Sequence, residues 1–76
     1  MNKTFHITIN HLARNSEFIN CSITNAIGIL QTEIYMRSLD IPKITVPVFW
    51  DMYFKRDNSL HTDLRELIKN RDIIIK

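Results

Sequence analysis

Residues 44–54 read ITVPVFWDMYF, and this stretch decides which fold the sequence predicts. Apolar side chains occupy every second position along it: Ile44, Val46, Val48, Trp50, Met52 and Phe54. A period of two is typical of a β-strand, in which successive side chains point to opposite faces. Pro47 has no main-chain N–H to donate, so we expect this strand to lie at a sheet edge or to be bulged there.

Segments on both sides of this strand also carry regular patterns. The apolar residues between Ile19 and Ile34 form a stripe about 100° wide at helical spacing, which predicts an amphipathic helix. Ser16 or Asn15 is suited to cap the N-terminus of that helix. The further predicted elements are a strand over residues 4–9, the helix over 16–38, a turn over 55–59, a helix over 60–70 and a strand over 72–75.

The resulting order of strand, helix, strand, helix, strand predicts a small α+β fold. Its simplest arrangement is a three-stranded sheet with two helices packed on one face. A chain of 76 residues has room for one hydrophobic core, and its one Gly and two Pro leave no long flexible linker. We therefore expect a single small domain over residues 1–76.

Residues 33–53 support a second interpretation. This segment, EIYMRSLDIPKITVPVFWDMY, loosely resembles a helix-turn-helix, with Leu39 and Ile41 at the turn and Thr45–Val46 opening the recognition helix. Pro47 would then lie in the first turn of that helix, where proline is tolerated. The resemblance implies a mostly α-helical fold that binds nucleic acid. The alternation of apolar residues favours the strand instead.

The candidate metal ligands do not form a recognisable site. His6, His11 and Cys21 match no zinc-binding spacing, and a closed zinc site needs four ligands. There is no glycine-rich phosphate-binding loop, because Gly28 is the single glycine. We expect no metal and no cofactor.

The candidate catalytic residues are equally unconvincing. Ser59, His61 and Asp63 are spaced by two along one predicted helix start, which cannot aim a serine–histidine–aspartate relay. Cys21 has no basic partner nearby in the sequence that would activate its thiol. We expect a protein that is not an enzyme and that has no small-molecule substrate.

Charge and composition narrow the class of protein further. Ten Lys and Arg face eight Asp and Glu, and neither half of the chain is strongly basic. The N-terminal stretch has no signal-peptide pattern, no apolar run is long enough to cross a membrane, and one Cys allows no internal disulfide. We expect a cytoplasmic protein. Abundant Ile and Asn suit an AT-rich gene of the kind that phages and mobile elements carry.

The second face of the predicted strand supplies the candidate binding site. Phe49 and Tyr53 share that face, with Lys55 and Arg56 at its end. Aromatic side chains beside cations on an open sheet are typical of protein interfaces, and they also stack on nucleic-acid bases. We predict a small protein-binding module that regulates or inhibits its partner, which is another protein or a second copy of itself. We expect it to bind through this aromatic face or by strand addition at the edge around Pro47. Nucleic-acid binding through these four residues is the alternative.

Overall fold

Three strands and three helices are found in the computed structural model, which describes residues 3–55 and 62–76. The strands form one sheet in the order β2-β1-β3, and both pairs of neighbours are antiparallel. The predicted α+β class and the three-stranded sheet are confirmed. In chain order the elements are β1 (Phe5–His11), β2 (Arg14–Cys21), α1 (Ile23–Met36), α2 (Val46–Lys55), α3 (Thr62–Lys69) and β3 (Ile73–Ile75).

Strands β1 and β2 form a hairpin that the sequence analysis missed. His11 pairs with Arg14, so Leu12 and Ala13 make a two-residue turn. Leu12 has a φ of 53°, in the left-handed region, as the first central residue of a type II′ turn requires. The prediction that residues 16–38 form one helix is therefore wrong in its first part, because pairing with β1 holds that part extended.

Helix α1 has a well-defined cap at each end. Ser22, and not Ser16 or Asn15, is its N-cap, and the Ser22 Oγ accepts a hydrogen bond from the Asn25 N–H at 3.2 Å. At the other end Ser38 has a φ of 57°. The N–H groups that follow the helix turn back to its last carbonyls, in the pattern of a Schellman motif. These bonds run from Ser38 to Tyr35 at 3.0 Å and from Leu39 to Ile34 at 3.1 Å.

The strand predicted over residues 44–54 is wrong, because most of that segment forms helix α2. The Thr45 Oγ1 accepts a hydrogen bond from the Val48 N–H at 3.4 Å, and the Thr45 carbonyl accepts one from the Phe49 N–H at 2.9 Å. Pro47 lies in the first turn, where its missing N–H costs nothing. The helix start in the helix-turn-helix interpretation is thus correct, whereas the mostly α-helical fold it implied is contradicted by the sheet.

The C-terminal elements agree better with the sequence analysis. Helix α3 and strand β3 lie within the helix predicted over 60–70 and the strand predicted over 72–75. Lys55 ends α2, and the rest of the turn predicted over 55–59 lies outside the described residues. The observed order is strand, strand, helix, helix, helix, strand, so the alternating order and the count of two helices are wrong.

The core lies on one face of the sheet. Phe5, Ile7 and Ile9 of β1 are buried and join one hydrophobic cluster with the inner residues of all three helices. The residues between them, such as His6 and Thr8, are half-buried on the opposite face. The helices therefore cover one side of the sheet, and the other side of β1 is polar.

Candidate functional site

The structure does not form the aromatic sheet face that the sequence predicted. Phe49 is 0% exposed and Tyr53 is half-buried, and both lie on helix α2. Their rings pack edge to face against Phe5, with centroids 4.9 and 5.2 Å from it. The prediction that they lie on an open sheet face is wrong. The Lys55 side chain and Arg56 lie outside what the structure describes.

The exposed part of this aromatic cluster lies on the adjacent side of α2, at the residues that directly follow Phe49 and Tyr53. The rings of Trp50 and Phe54 stack with centroids 5.4 Å apart and planes 20° apart, and Phe54 is 72% exposed. The Lys3 ammonium lies 5.1 Å from the centroid of the Tyr53 ring, within reach of a cation–π interaction. The cluster mainly anchors α2 to β1, and it leaves one aromatic ring on the surface.

Strand β2 is one edge of the sheet, and the short strand β3 is the other. His6 and Lys76 exchange N–H···O bonds at 2.9 Å each, so the even-numbered residues of β1 bond towards the β3 side. The odd-numbered residues of β1 therefore bond to β2, where their partners are Arg14, Ser16 and Phe18. It follows that the main-chain groups of Asn15 and Glu17 point away from the sheet.

A bulge ends the regular part of this edge. Phe5 pairs with Cys21 and Ile7 with Phe18, so two steps along β1 correspond to three steps along β2. Asn20, inside the bulge, has a φ of 56°, which asparagine tolerates better than most residues. The neighbouring Ile19 is 66% exposed. The bulge thus limits the straight, unpaired edge to the residues before Ile19.

A groove of about 790 Å³ runs between β2 and α1. Its floor is the inner face of β2, where Phe18 is 38% exposed although Ile7 beside it is fully buried. Its wall is the side of α1 that carries Gly28 and Ile29. The apolar part of the lining is completed by Ile9, Ile19, Cys21 and Met36. An unpaired strand edge and a largely apolar groove therefore lie side by side.

Two arginines and one buried carboxylate close one end of the groove. Glu33 is 3% exposed and accepts hydrogen bonds from Arg37 Nε at 2.7 Å and from Arg14 Nη2 at 3.2 Å. Arg37 also donates to the Asn10 carbonyl at 2.8 Å. These bonds tie α1 to both strands of the hairpin, so the groove has a fixed width at this end.

The charges of this triad do not cancel. Burial alone raises the pKa of Glu33, but the hydrogen bond from Arg37 and the positive charges of Arg14 and Arg37 outweigh it, so the pKa lies below its ordinary value. Glu33 is therefore ionised at neutral pH, and the triad carries a net charge of +1. Arg14, whose side chain is 42% exposed, brings this charge to the groove.

Other kinds of site find little support in the residues described. Among residues 3–55 and 62–76, no three His, Cys, Asp or Glu side chains come together in a way that could hold a metal ion. Cys21 is buried opposite Phe5, and His6 lies on the polar face of the sheet, 3.5 Å from the Glu17 carboxylate. Ser59 and His61 lie outside the described residues.

None of the helices described is long and apolar enough to cross a membrane. Comparisons with models of known protein families, with curated proteins and with solved structures found no match.

Proposed function

We propose that this chain is a small non-enzymatic protein-binding module whose site is the open edge of β2 together with the groove between β2 and α1. The observation that carries the proposal is the position of Phe18. This side chain lies on the core face of the sheet and is nevertheless 38% exposed, and the main-chain groups of the neighbouring Asn15 and Glu17 point outwards.

The binding mode is strand addition. A partner segment in extended conformation would pair with the main-chain groups of Asn15 and Glu17, which supplies affinity without regard to its sequence. Alternate side chains of that segment would point into the groove above Phe18, and their size and polarity would supply specificity. An acidic side chain near Arg14 would add an attractive charge.

Regulation of the partner follows from this mode of binding. A protein that occupies the edge of a partner's strand prevents that strand from pairing with anything else. This chain is thus an inhibitory or regulatory module that binds through the edge of β2 and not through Phe49 and Tyr53.

A peptide-display selection tests the proposed site. The wild-type chain is immobilised at low density, so that copies do not meet, and is used to select peptides from a random library. The selected peptides are then measured against Glu17→Pro, which removes one outward N–H without removing a bond to β1. Glu17→Ala is the matched control, because it keeps that N–H and loses the same carboxylate.

We expect the selected peptides to bind wild type and Glu17→Ala with similar affinity and to bind Glu17→Pro at least tenfold more weakly. They should also bind Phe18→Ser more weakly, because that variant loses the apolar floor of the groove. Peptides that bind all four proteins equally would show that the site lies elsewhere.

A further inference from the structure

We infer that the segment that occupies this site is β2 of a second copy, paired antiparallel about a two-fold axis at Ser16 to give a six-stranded sheet. This inference rests on the proposed function, since it names the partner for the same edge and groove. The main-chain geometry, the charges along β2 and the position of Gly28 each support it.

The main-chain geometry allows few registers. A two-fold axis perpendicular to the sheet keeps each residue on its own face, so paired residues must both be odd-numbered or both even-numbered. Asn15 and Glu17 have the outward main-chain groups and must form the hydrogen-bonded pairs. The axis then passes through Asn15, Ser16 or Glu17. An axis at Asn15 sets Glu17 opposite Ala13, which belongs to the turn and not to β2, so this register leaves Asn15 paired with itself and nothing more. An axis at Ser16 pairs Asn15 with the second Glu17, and an axis at Glu17 pairs Glu17 with itself. Pairings beyond Phe18 run into the bulge.

The charges choose between the registers at Ser16 and at Glu17. An axis at Glu17 would set two carboxylates directly opposite each other, which is destabilising. An axis at Ser16 sets the Asn15 amide opposite the second Glu17 carboxylate, a donor facing an acceptor. On the other face it sets the Arg14 guanidinium opposite the second Phe18 ring, a favourable cation and aromatic pair. The edge is therefore complementary to itself in one register.

The position of Gly28 independently supports a second copy as the partner. Four residues of the described chain have a left-handed backbone, and none of them is glycine: Leu12, Asn20, Ser38 and Arg71. The single glycine lies instead inside α1, where it costs roughly 1 kcal/mol relative to alanine. A Cβ at Gly28 would meet nothing within 4 Å in the monomer, so the fold of one copy does not require a glycine there. Gly28 lines the groove, where it lets a second copy approach the backbone of α1.

The size of the site sets the expected affinity of one copy for the other. The lining of the groove and the outward side chains of β2 together fall short of the roughly 20–30 residues that each partner contributes to a standard interface. Such small interfaces are weak, so we expect a dimer with a dissociation constant of about 1–100 μM. The monomer and the dimer are then both populated in an ordinary solution experiment.

Sedimentation equilibrium of the full chain from low to high micromolar concentration tests the inference. We expect wild type and Glu17→Gln to dimerise alike, and Glu17→Pro to dimerise at least tenfold more weakly. Gly28→Ala should dimerise several-fold more weakly and yet melt at a higher temperature than wild type. A wild type that stays monomeric at every concentration, or a Glu17→Pro that dimerises normally, would overturn the inference.

A disulfide tests the register even if Glu17→Pro does not fold. In a Cys21→Ala background, Ser16→Cys places two thiols across the axis as a pair without main-chain hydrogen bonds, where Cα atoms are about 4.5 Å apart. We expect rapid oxidation to a covalent dimer. Glu17→Cys is the matched control and should oxidise slowly, because its two thiols are offset along the strands. Faster oxidation of Glu17→Cys would overturn the register at Ser16.

The two proposals can fail separately. A monomeric wild type whose selected peptides still require the Glu17 N–H overturns only the second copy as the partner. A monomeric wild type with no peptides that depend on this edge overturns the proposed function as well.

Discussion

Ile7 and Phe18 lie directly opposite each other on the inner face of the sheet, and yet Ile7 is 0% exposed and Phe18 is 38% exposed. The difference arises because the helices cover β1 and β3 and leave much of β2 open. The same face of one small sheet therefore serves as core at its centre and as a surface groove at its edge.

This difference in exposure predicts that truncating Ile7 and truncating Phe18 lower the free energy of unfolding by unequal amounts. Ile7→Ala should lower the free energy of unfolding by about 2–5 kcal/mol, because it leaves a cavity in the core. Phe18→Ala should lower it by less than about 1.5 kcal/mol, because its side chain is only partly buried. Urea denaturation of the monomer at low concentration measures both. Equal losses would mean that the groove is filled within one copy.

The aromatic residues of α2 give a second comparison. Phe49→Ala should lower the free energy of unfolding by about 3–5 kcal/mol, since Phe49 is fully buried against Phe5. Phe54→Ala should change stability far less, because Phe54 is 72% exposed and contacts mainly Trp50 and Tyr53. Circular dichroism during thermal unfolding compares the two. If Phe49→Ala were as stable as wild type, this result would contradict the packing of α2 against β1 through Phe49.

The left-handed residues outside the hairpin predict two stabilising substitutions. Ser38 and Arg71 have φ angles of 57° and 63°, each just after the end of a helix, where glycine is the preferred residue. Ser38→Gly and Arg71→Gly should each raise stability by about 0.5–1 kcal/mol, or roughly 2–8 °C in melting temperature. Ser16→Gly, in the middle of β2, is the control and should lower stability. A fall in melting temperature for Ser38→Gly would contradict the geometry of this cap.

The local pattern of apolar residues predicts the strands near the two ends of the chain better than the elements between them. The alternation in residues 4–9 occurs in a strand that is buried on one face, so its period is visible in the sequence. The short β-branched run in 72–75 shows no period, but its length and composition are typical of a strand. Residues 44–54 are apolar at nearly every position, so a period of two and a helical period fit equally well. Thr45 before Val46-Pro47 is the signal that favours a helix start, because Thr caps helices and proline fits their first turn.

The sequence does not reveal the candidate site, because the site forms only when β2 pairs with β1. The stretch RNSEFINC of β2 has few β-branched residues, and its turn, Leu12-Ala13, lacks the Asn-Gly or Asp-Gly signal of a hairpin. Hydrogen bonds to β1 override these weak local preferences. The pattern of residues 44–54 predicts strand addition at an edge around Pro47, whereas the exposed edge beside the groove is β2.

Glu33 and Arg37 predict how stability depends on pH. Glu33→Gln keeps the size of the side chain but leaves the buried Arg37 guanidinium without its carboxylate. At neutral pH this should lower the free energy of unfolding by about 1–3 kcal/mol. Glu17→Gln, on the exposed carboxylate 3.5 Å from His6, is the matched control and should have a much smaller effect.

The sign of the pH effect follows from the lowered pKa of Glu33. In the unfolded chain this carboxyl binds a proton near its ordinary pKa of 4.5, whereas in the folded chain it stays ionised to lower pH. As the pH falls between these two values, the unfolded state binds more protons, so the folded state loses stability. The difference in free energy of unfolding between wild type and Glu33→Gln should therefore have its full value above about pH 5. It should decrease as the pH falls below 4.5. Urea denaturation from pH 7 to pH 3 measures it, and a gap that stays constant over this range would show that the carboxylate of Glu33 does not stabilise the fold through its charge.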